Sequence, residues 1–269
     1  MIQKIMAVLQ LQHERPTNYG WFHLTFVALT IIATILSCIF LRKSGEKQFR
    51  KTISICWLIV ALFELYKQIV FSYSADNGWS YDWHTLPFQL CSMSLYVLPI
   101  VAFAKESSFR DGALIFTSTF VFFGGLCVYV FPNDVFATNL LGVQIQTMVH
   151  HGVQLLTGVL VFVRYREKFK VLKNWLITLA FFAVCVGIAM ALNLVIYNLF
   201  NQPFINMFFI SPYYACTLPV LSSIYVAVPY IVFLLIYFLG FMLCAGVVYA
   251  VMAGVYLAVN KLSNLSKRN

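Results

Sequence analysis

Charge is scarce in this chain. Asp, Glu, Lys and Arg make up 10% of its 269 residues, against about a quarter in a soluble globular protein. Apolar residues make up 61%, and mean hydropathy is +0.84. No stretch remains from which a soluble domain could be built. The net charge of +9 does not point to a nucleic-acid partner, because the basic residues sit at the ends of apolar runs, where they set membrane orientation. The seven cysteines, Cys38, Cys56, Cys91, Cys127, Cys185, Cys216 and Cys244, include no CxxC and no zinc spacing. Neither a disulfide framework nor a metal site is expected, and no cofactor is called for. A signal peptide is not expected either. The apolar run around Ile5–Leu11 is short and no small-residue cleavage site follows it, so residues 1–20 read as an interfacial segment with a helix ending near Pro16.

What the chain does have is long apolar runs. Seven lie near residues 21–41, 52–73, 85–104, 113–131, 140–163, 174–199 and 229–258, each about the ~20 residues a helix needs to cross a bilayer. The expectation is an all-α, multi-pass protein of the cell membrane, with one seven-helix domain over 21–260 and a basic tail at 261–269. The connections support it. Residues 42–51 and 164–173 each carry five basic residues, and Lys105, Arg110, Lys261, Lys267 and Arg268 mark the next basic ends. The intervening loops hold Asp76, Asp82 and Asp134 and no Lys or Arg. Basic and non-basic loops therefore alternate, which predicts the N-terminus outside and the C-terminus inside. Residues 200–228 carry no charge but contain Pro203, Pro212 and Pro219. That segment is expected to fold over the outer mouth of the bundle or to dip into it where protein shields its backbone. Gly246, Ala250, Gly254 and Ala258, spaced by four, are expected to allow close helix approach.

Inside the seven runs stand just two charged residues, Glu64 and Lys67. Three residues apart, they share a helix face. Charge in hydrocarbon is costly, so the pair should face the bundle interior. With the orientation above, other polar residues fall at the same outer depth. Thr85, Gln89, Ser92 and Tyr96 have the spacing of one helix face, and so do Gln144, Thr147, His151, Gln154 and Gly158. His150 points about 100° away from His151. Asn193 lies in the outer turns of the sixth run, and Asn206 in the uncharged segment that follows. The pattern predicts a polar cavity in the outer half of the membrane. A histidine there can act as general base for a lipid hydroxyl, and a cysteine beside it can carry an acyl group. An ion pair that merely fixes helix packing fits the same two residues, and a proton-coupled transporter fits the same parts.

The order of LPFQLC at 86–91, VHHG around His151, FINMFFISPYYACTLPVLS at 204–222 and VPY at 228–230, after Glu64 and Lys67, resembles the bacterial YwaF-like integral membrane family. It is more distantly similar to the eukaryotic transmembrane protein 164 acyltransferases. The resemblance runs from about residue 55 to 245 and implies a seven-span fold and acyl transfer between phospholipids. It matches His151 to the family histidine, and Glu64 and Lys67 to the acidic and basic pair. After Pro87, where the eukaryotic pattern has Cys then His, this chain has Phe88 and Gln89, and Cys91 follows.

The leading expectation is therefore a lipid-directed acyltransferase or acyl hydrolase, with membrane lipids as its partners. In it His151 is the base, Glu64 its orienter and Cys91 a nucleophile, while Lys67, Gln89, Asn193 and Asn206 bind substrate. The alternative is a small-molecule transporter or membrane binding protein using the same cavity. A retinal receptor is excluded, since residues 229–258 contain no lysine.

Overall fold

The computed structural model describes residues 1–132 and 136–266, with side chains to Lys261. Asp134, Lys267 and Arg268 lie outside the described residues. Among those described, six helical stretches are long and apolar enough to cross a membrane. They are α2 (Trp21–Leu41), α3 (Glu46–Phe71), the joined pair α5 (Ser108–Phe116) and α6 (Phe122–Val130), α7 (Leu141–Tyr165), α8 (Leu172–Phe200) and α10 (Tyr230–Ser266). Three further helices are short: α1 (Ile2–Leu9), α4 (Ser94–Phe103) and α9 (Leu221–Ala227). A two-residue hairpin, β1 (Tyr73–Ser74) with β2 (Gly78–Trp79), follows α3 and turns at Gly78, whose φ of 70° suits glycine.

The third expected span differs from the others. Instead of one helix over 85–104, the chain forms a 3₁₀ turn at Trp83–Thr85, an extended stretch around Pro87, a second 3₁₀ turn at Leu90–Met93, and then the ten-residue α4. Pro87 lacks an N–H and pushes Leu86 out of the helical region. Leu86 has ψ 124° and Gln89 has ψ 164°. The apolar helix is thus 90–103, too short to match the other six. The helical-face spacing assumed for Thr85, Gln89, Ser92 and Tyr96 does not survive, because residues 86–89 are not helical.

Burial separates an inner from an outer layer. Over its most apolar window, α2 is 6% buried and the Tyr230–Lys261 helix 17%, whereas α5–α6 and α7 are each 67% buried. A helix apolar on every side is suited to lipid contact; α7 packs against α2, α3, α5 and α6. The α3 stripe Phe49, Ile53, Cys56, Val60 and Glu64 faces inward. A wide turn at Thr117–Val121 joins α5 to α6. It lies against α7, where the Ser118 hydroxyl donates to the Gly158 carbonyl at 2.9 Å.

The uncharged segment after α8 enters the core. Ile205, Met207, Phe208, Ile210 and Ser211 are fully or almost fully buried, and Phe208 packs against Phe88 and Phe182. Of the small residues on α10, Gly246 faces Trp175, whose ring a Cβ there would meet at 3.8 Å. Ala250, Gly254 and Ala258 are exposed, so that stripe makes no close helix approach within this chain.

The basic loops gather at one end of the bundle. The Arg50 guanidinium donates to the carbonyls of Ala102 and Ala104 at 3.0 and 2.7 Å. Arg110, 2% exposed, donates to Val101 and pairs with Glu46 at 2.7 Å. Arg164 reaches Ser44 and Glu46, and Lys168 pairs with Asp111. Arg50 and Arg110 cover the last carbonyls of α4, where positive charge is favourable. Replacing Arg110 with Leu leaves the Val101 carbonyl without its side-chain donor and takes one of three arginines from Glu46. Leaving a buried acceptor unsatisfied costs about 1–3 kcal/mol. Arg110→Leu should therefore sharply lower the melting temperature in detergent, while Lys168→Ala, at the rim, should shift it little; equal shifts would show that the cluster does not anchor α4.

Candidate functional site

The charged pair of α3 lies as the sequence suggests. Lys67 Nζ and Glu64 Oε1 are 2.8 Å apart, with side chains 19% and 7% exposed. Gln68, four residues from Glu64, donates to the same oxygen at 2.7 Å and to the Thr85 carbonyl at 2.6 Å. The pair is thereby tied to the strand of chain that leads to Pro87. Glu64 Oε2 is buried with no partner among the described residues. The loop beyond α3 feels this charge. Burial pushes the Tyr81 phenol up, and the Glu64 and Asp82 carboxylates add to the effect, so Tyr81 stays a neutral hydroxyl donor.

Across from the pair sits the turn at Cys91. Its carbonyl accepts from His150 Nε2 at 2.9 Å and from the Gln154 amide. Ser94 lies 3.2 Å from the same His150 nitrogen and 3.4 Å from Gln154. Gly125 of α6 makes room for this contact. A Cβ there would stand 3.0 Å from both the His151 carbonyl and the Gln154 Cβ. The Lys67 and Glu64 charges lie near enough to act on the half-buried Cys91 thiol, and Lys67 acts on both histidines as well.

The two imidazoles are neighbours, with ring centroids 5.3 Å apart. His151 Nδ1 is 2.7 Å from the Thr147 carbonyl. A carbonyl only accepts, so Nδ1 carries the hydrogen and Nε2 presents its lone pair. The same reasoning puts the His150 hydrogen on Nε2, toward Cys91, and leaves Nδ1 bare. Both bare nitrogens are buried with no partner among the described residues, as are Gln89 Oε1 and Gln154 Oε1. The region is thus rich in hydrogen-bond acceptors and poor in donors other than the Lys67 ammonium.

The structure brings Glu64, Lys67, Cys91 and His151 into one neighbourhood. It gives the Thr147 carbonyl, and not Glu64, the contact that orients His151. Gln89, Asn193 and Asn206 are engaged with main chain. Gln89 donates to the Asn206 carbonyl at 2.8 Å. Asn193 donates to the Met207 carbonyl at 3.0 Å and accepts from its N–H at 2.6 Å. Asn206 bridges Ala215 and Ser211. These amides hold the entering segment in place. Sequence reasoning turned His150 away from the site, although its ring is the one that touches the Cys91 turn. Rotation about α7 is as expected; the partner on that side is the irregular 90–93 turn, which helical periodicity does not reveal. Gln68 was detectable from its i+4 spacing to Glu64.

The TMEM164 family model matches residues 18–253. The chain belongs to the TMEM164 family. The match takes in α2 to α9, the first part of α10 and every residue of the region just described. Neither a curated protein nor a solved structure matches the chain.

If Glu64 and Lys67 neutralise each other, losing one leaves an uncompensated buried charge, at a cost of about 3–5 kcal/mol. Lys67→Met should lower thermal stability more than Glu64→Gln with Lys67→Met combined. A double variant no more stable than the single one would mean that the two charges are not coupled.

Proposed function

We propose that this TMEM164 family member is a lipid-directed acyltransferase or acyl hydrolase. One observation carries the proposal: a cysteine turn clasped by His150 and Gln154, beside a second histidine with an open lone pair and within the field of an ion pair. Those are the groups acyl transfer requires. His151 Nε2 takes the proton from the attacking group as general base. In the covalent route that group is the Cys91 thiol. Its sulfur bonds to the acyl carbon of a donor lipid, the ester bond breaks, and the protonated imidazole returns its proton to the departing alcohol. The hydroxyl of an acceptor lipid, or water, then attacks the thioester and regenerates the thiol. In the direct route the acceptor hydroxyl attacks the donor ester itself. Lys67 keeps N–H bonds beyond the one to Glu64, and these stabilise charge on the acyl oxygen. Glu64 holds Lys67 in place. Gln89, Asn193 and Asn206 serve substrate by fixing the wall formed by 204–216.

The test is acyl transfer by the purified protein in vesicles containing a phospholipid donor and a lysophospholipid acceptor. A general base contributes typically 10²–10⁴-fold, so His151→Ala should reduce transfer by that order and leave the melting temperature nearly unchanged. Cys91→Ser separates the routes. Loss of transfer together with loss of the wild type's hydroxylamine-sensitive acyl label places the nucleophile on Cys91; full retention assigns the direct route. Wild-type protein that transfers no acyl group but moves a solute across the vesicle would replace the enzyme with the transporter.

The arrangement proposed is seven crossings, Leu90–Phe103 supplying the third, with the N-terminus outside the cell. The gathering of the basic loops at one end of the bundle supports it. An impermeant maleimide applied to intact cells should label Asp76→Cys and spare Lys170→Cys. Labelling of the second would reverse or break the topology.

A further inference from the structure

A cleft of about 560 Å³ opens at the end of the bundle opposite the basic loops, lined by Arg15, Phe71, Ala137, Thr138, Asn139, Val143 and Thr147. That is within the ~300–1,000 Å³ of small-ligand clefts. Its floor leads toward the polar region of Glu64 and His151 along two helices. Thr147 supplies the carbonyl that holds His151. Phe71 follows Glu64, Lys67 and Gln68 on one face of α3, at i+7 from Glu64.

The polar groups change sign with depth. At the mouth they donate. Arg15 uses Nε to reach the Asn139 side-chain oxygen at 2.8 Å. The Asn139 carbonyl is itself fixed by the His13 N–H at 2.7 Å. This leaves the two terminal guanidinium nitrogens as a positioned fork with no partner among the described residues. The Thr138 hydroxyl, which accepts from the Leu140 N–H, keeps its own hydrogen free. One and two turns deeper the free groups are acceptors: Glu64 Oε2 and the bare nitrogens of His150 and His151. The nearest carboxylate in sequence, Glu14, is exposed.

We propose that this cleft is a phosphate-binding vestibule, in which Arg15 grips the phosphate of a lysophospholipid so that its free hydroxyl reaches the acceptor-rich floor. The assignment rests on the acyl-transfer reading for what happens at the floor. Arg15 lies outside the residues that match the family, whereas the rest of the lining lies within them. An arginine fork suits the paired oxygens of a phosphate, and lysine replaces its charge but not its geometry.

The experiment uses the full chain in detergent micelles and two photoreactive probes with the same acyl chain, a lysophospholipid and a monoacylglycerol. Arg15→Gln should weaken labelling by the lysophospholipid on the order of tenfold and leave labelling by the monoacylglycerol unchanged. Arg15→Lys should recover part of the loss. Arg15 is exposed, so all three proteins should melt alike. Equal labelling of wild type and Arg15→Gln by the lysophospholipid would overturn the proposal. So would suppression of the labelling by inorganic phosphate at concentrations as low as those of the lipid, which would make free phosphate the ligand. Because labelling needs no turnover, a protein that shows the Arg15-dependent pattern yet transfers no acyl group would keep the vestibule and lose the enzymatic assignment.

Discussion

Backbone N–H and C=O groups have no water to bond with inside a bilayer, so each must find a partner within the protein. Most of this chain meets that constraint by being helical. It departs from helix inside the bundle at residues 86–93 and 205–211, and there side chains supply the missing bonds. Gln68 covers the Thr85 carbonyl, Gln89 covers Asn206, and His150 with Gln154 covers Cys91. Asn193 bonds both polar groups of Met207. At the basic end, Arg50 and Arg110 cover the last carbonyls of α4. Removing these side chains would leave unsatisfied backbone at a cost of roughly 1–3 kcal/mol each.

The same constraint shapes the polar region around Glu64 and His151. Pro87 breaks the helix, α4 starts late, and the turn at Cys91 comes to lie against α7. The segment after α8 fills part of the space with Phe208 and Met207, both buried. Polar groups not needed to hold these irregular segments include the second oxygen of Glu64, the ammonium of Lys67, the thiol of Cys91 and the bare nitrogens of the two histidines.

The two ends of the bundle are built differently. At one, arginines clasp carbonyls around a single carboxylate, Glu46, and the aromatic rings of Phe49 and Tyr165. This end is closed by charge. At the other, the N-terminal segment is laced to the ends of α3 and α7, through Gln10 to Val70 and Tyr73 and through Leu11 to Leu141. The cleft beneath Arg15 stays open.

Sequence alone determined the membrane character, six of the long helices to within a few residues at most of their ends, the alternation of basic and non-basic loops, and the pairing of Glu64 with Lys67. Each of these is local or depends on composition. An apolar run of sufficient length has one stable form in lipid, and two charges three residues apart on a helix meet whatever surrounds them. The shortened third helix was legible in part, since Pro87 was visible but the register at which helix resumes was not. Tertiary structure decided the rest. Whether an amide such as Gln89, Asn193 or Asn206 faces a cavity or clasps a distant carbonyl depends on which chain segment lies opposite, and that partner is over a hundred residues away for Gln89. The same holds for His150, placed by α7 periodicity away from His151 and brought to the Cys91 turn by an irregular segment whose path no repeat in the sequence encodes.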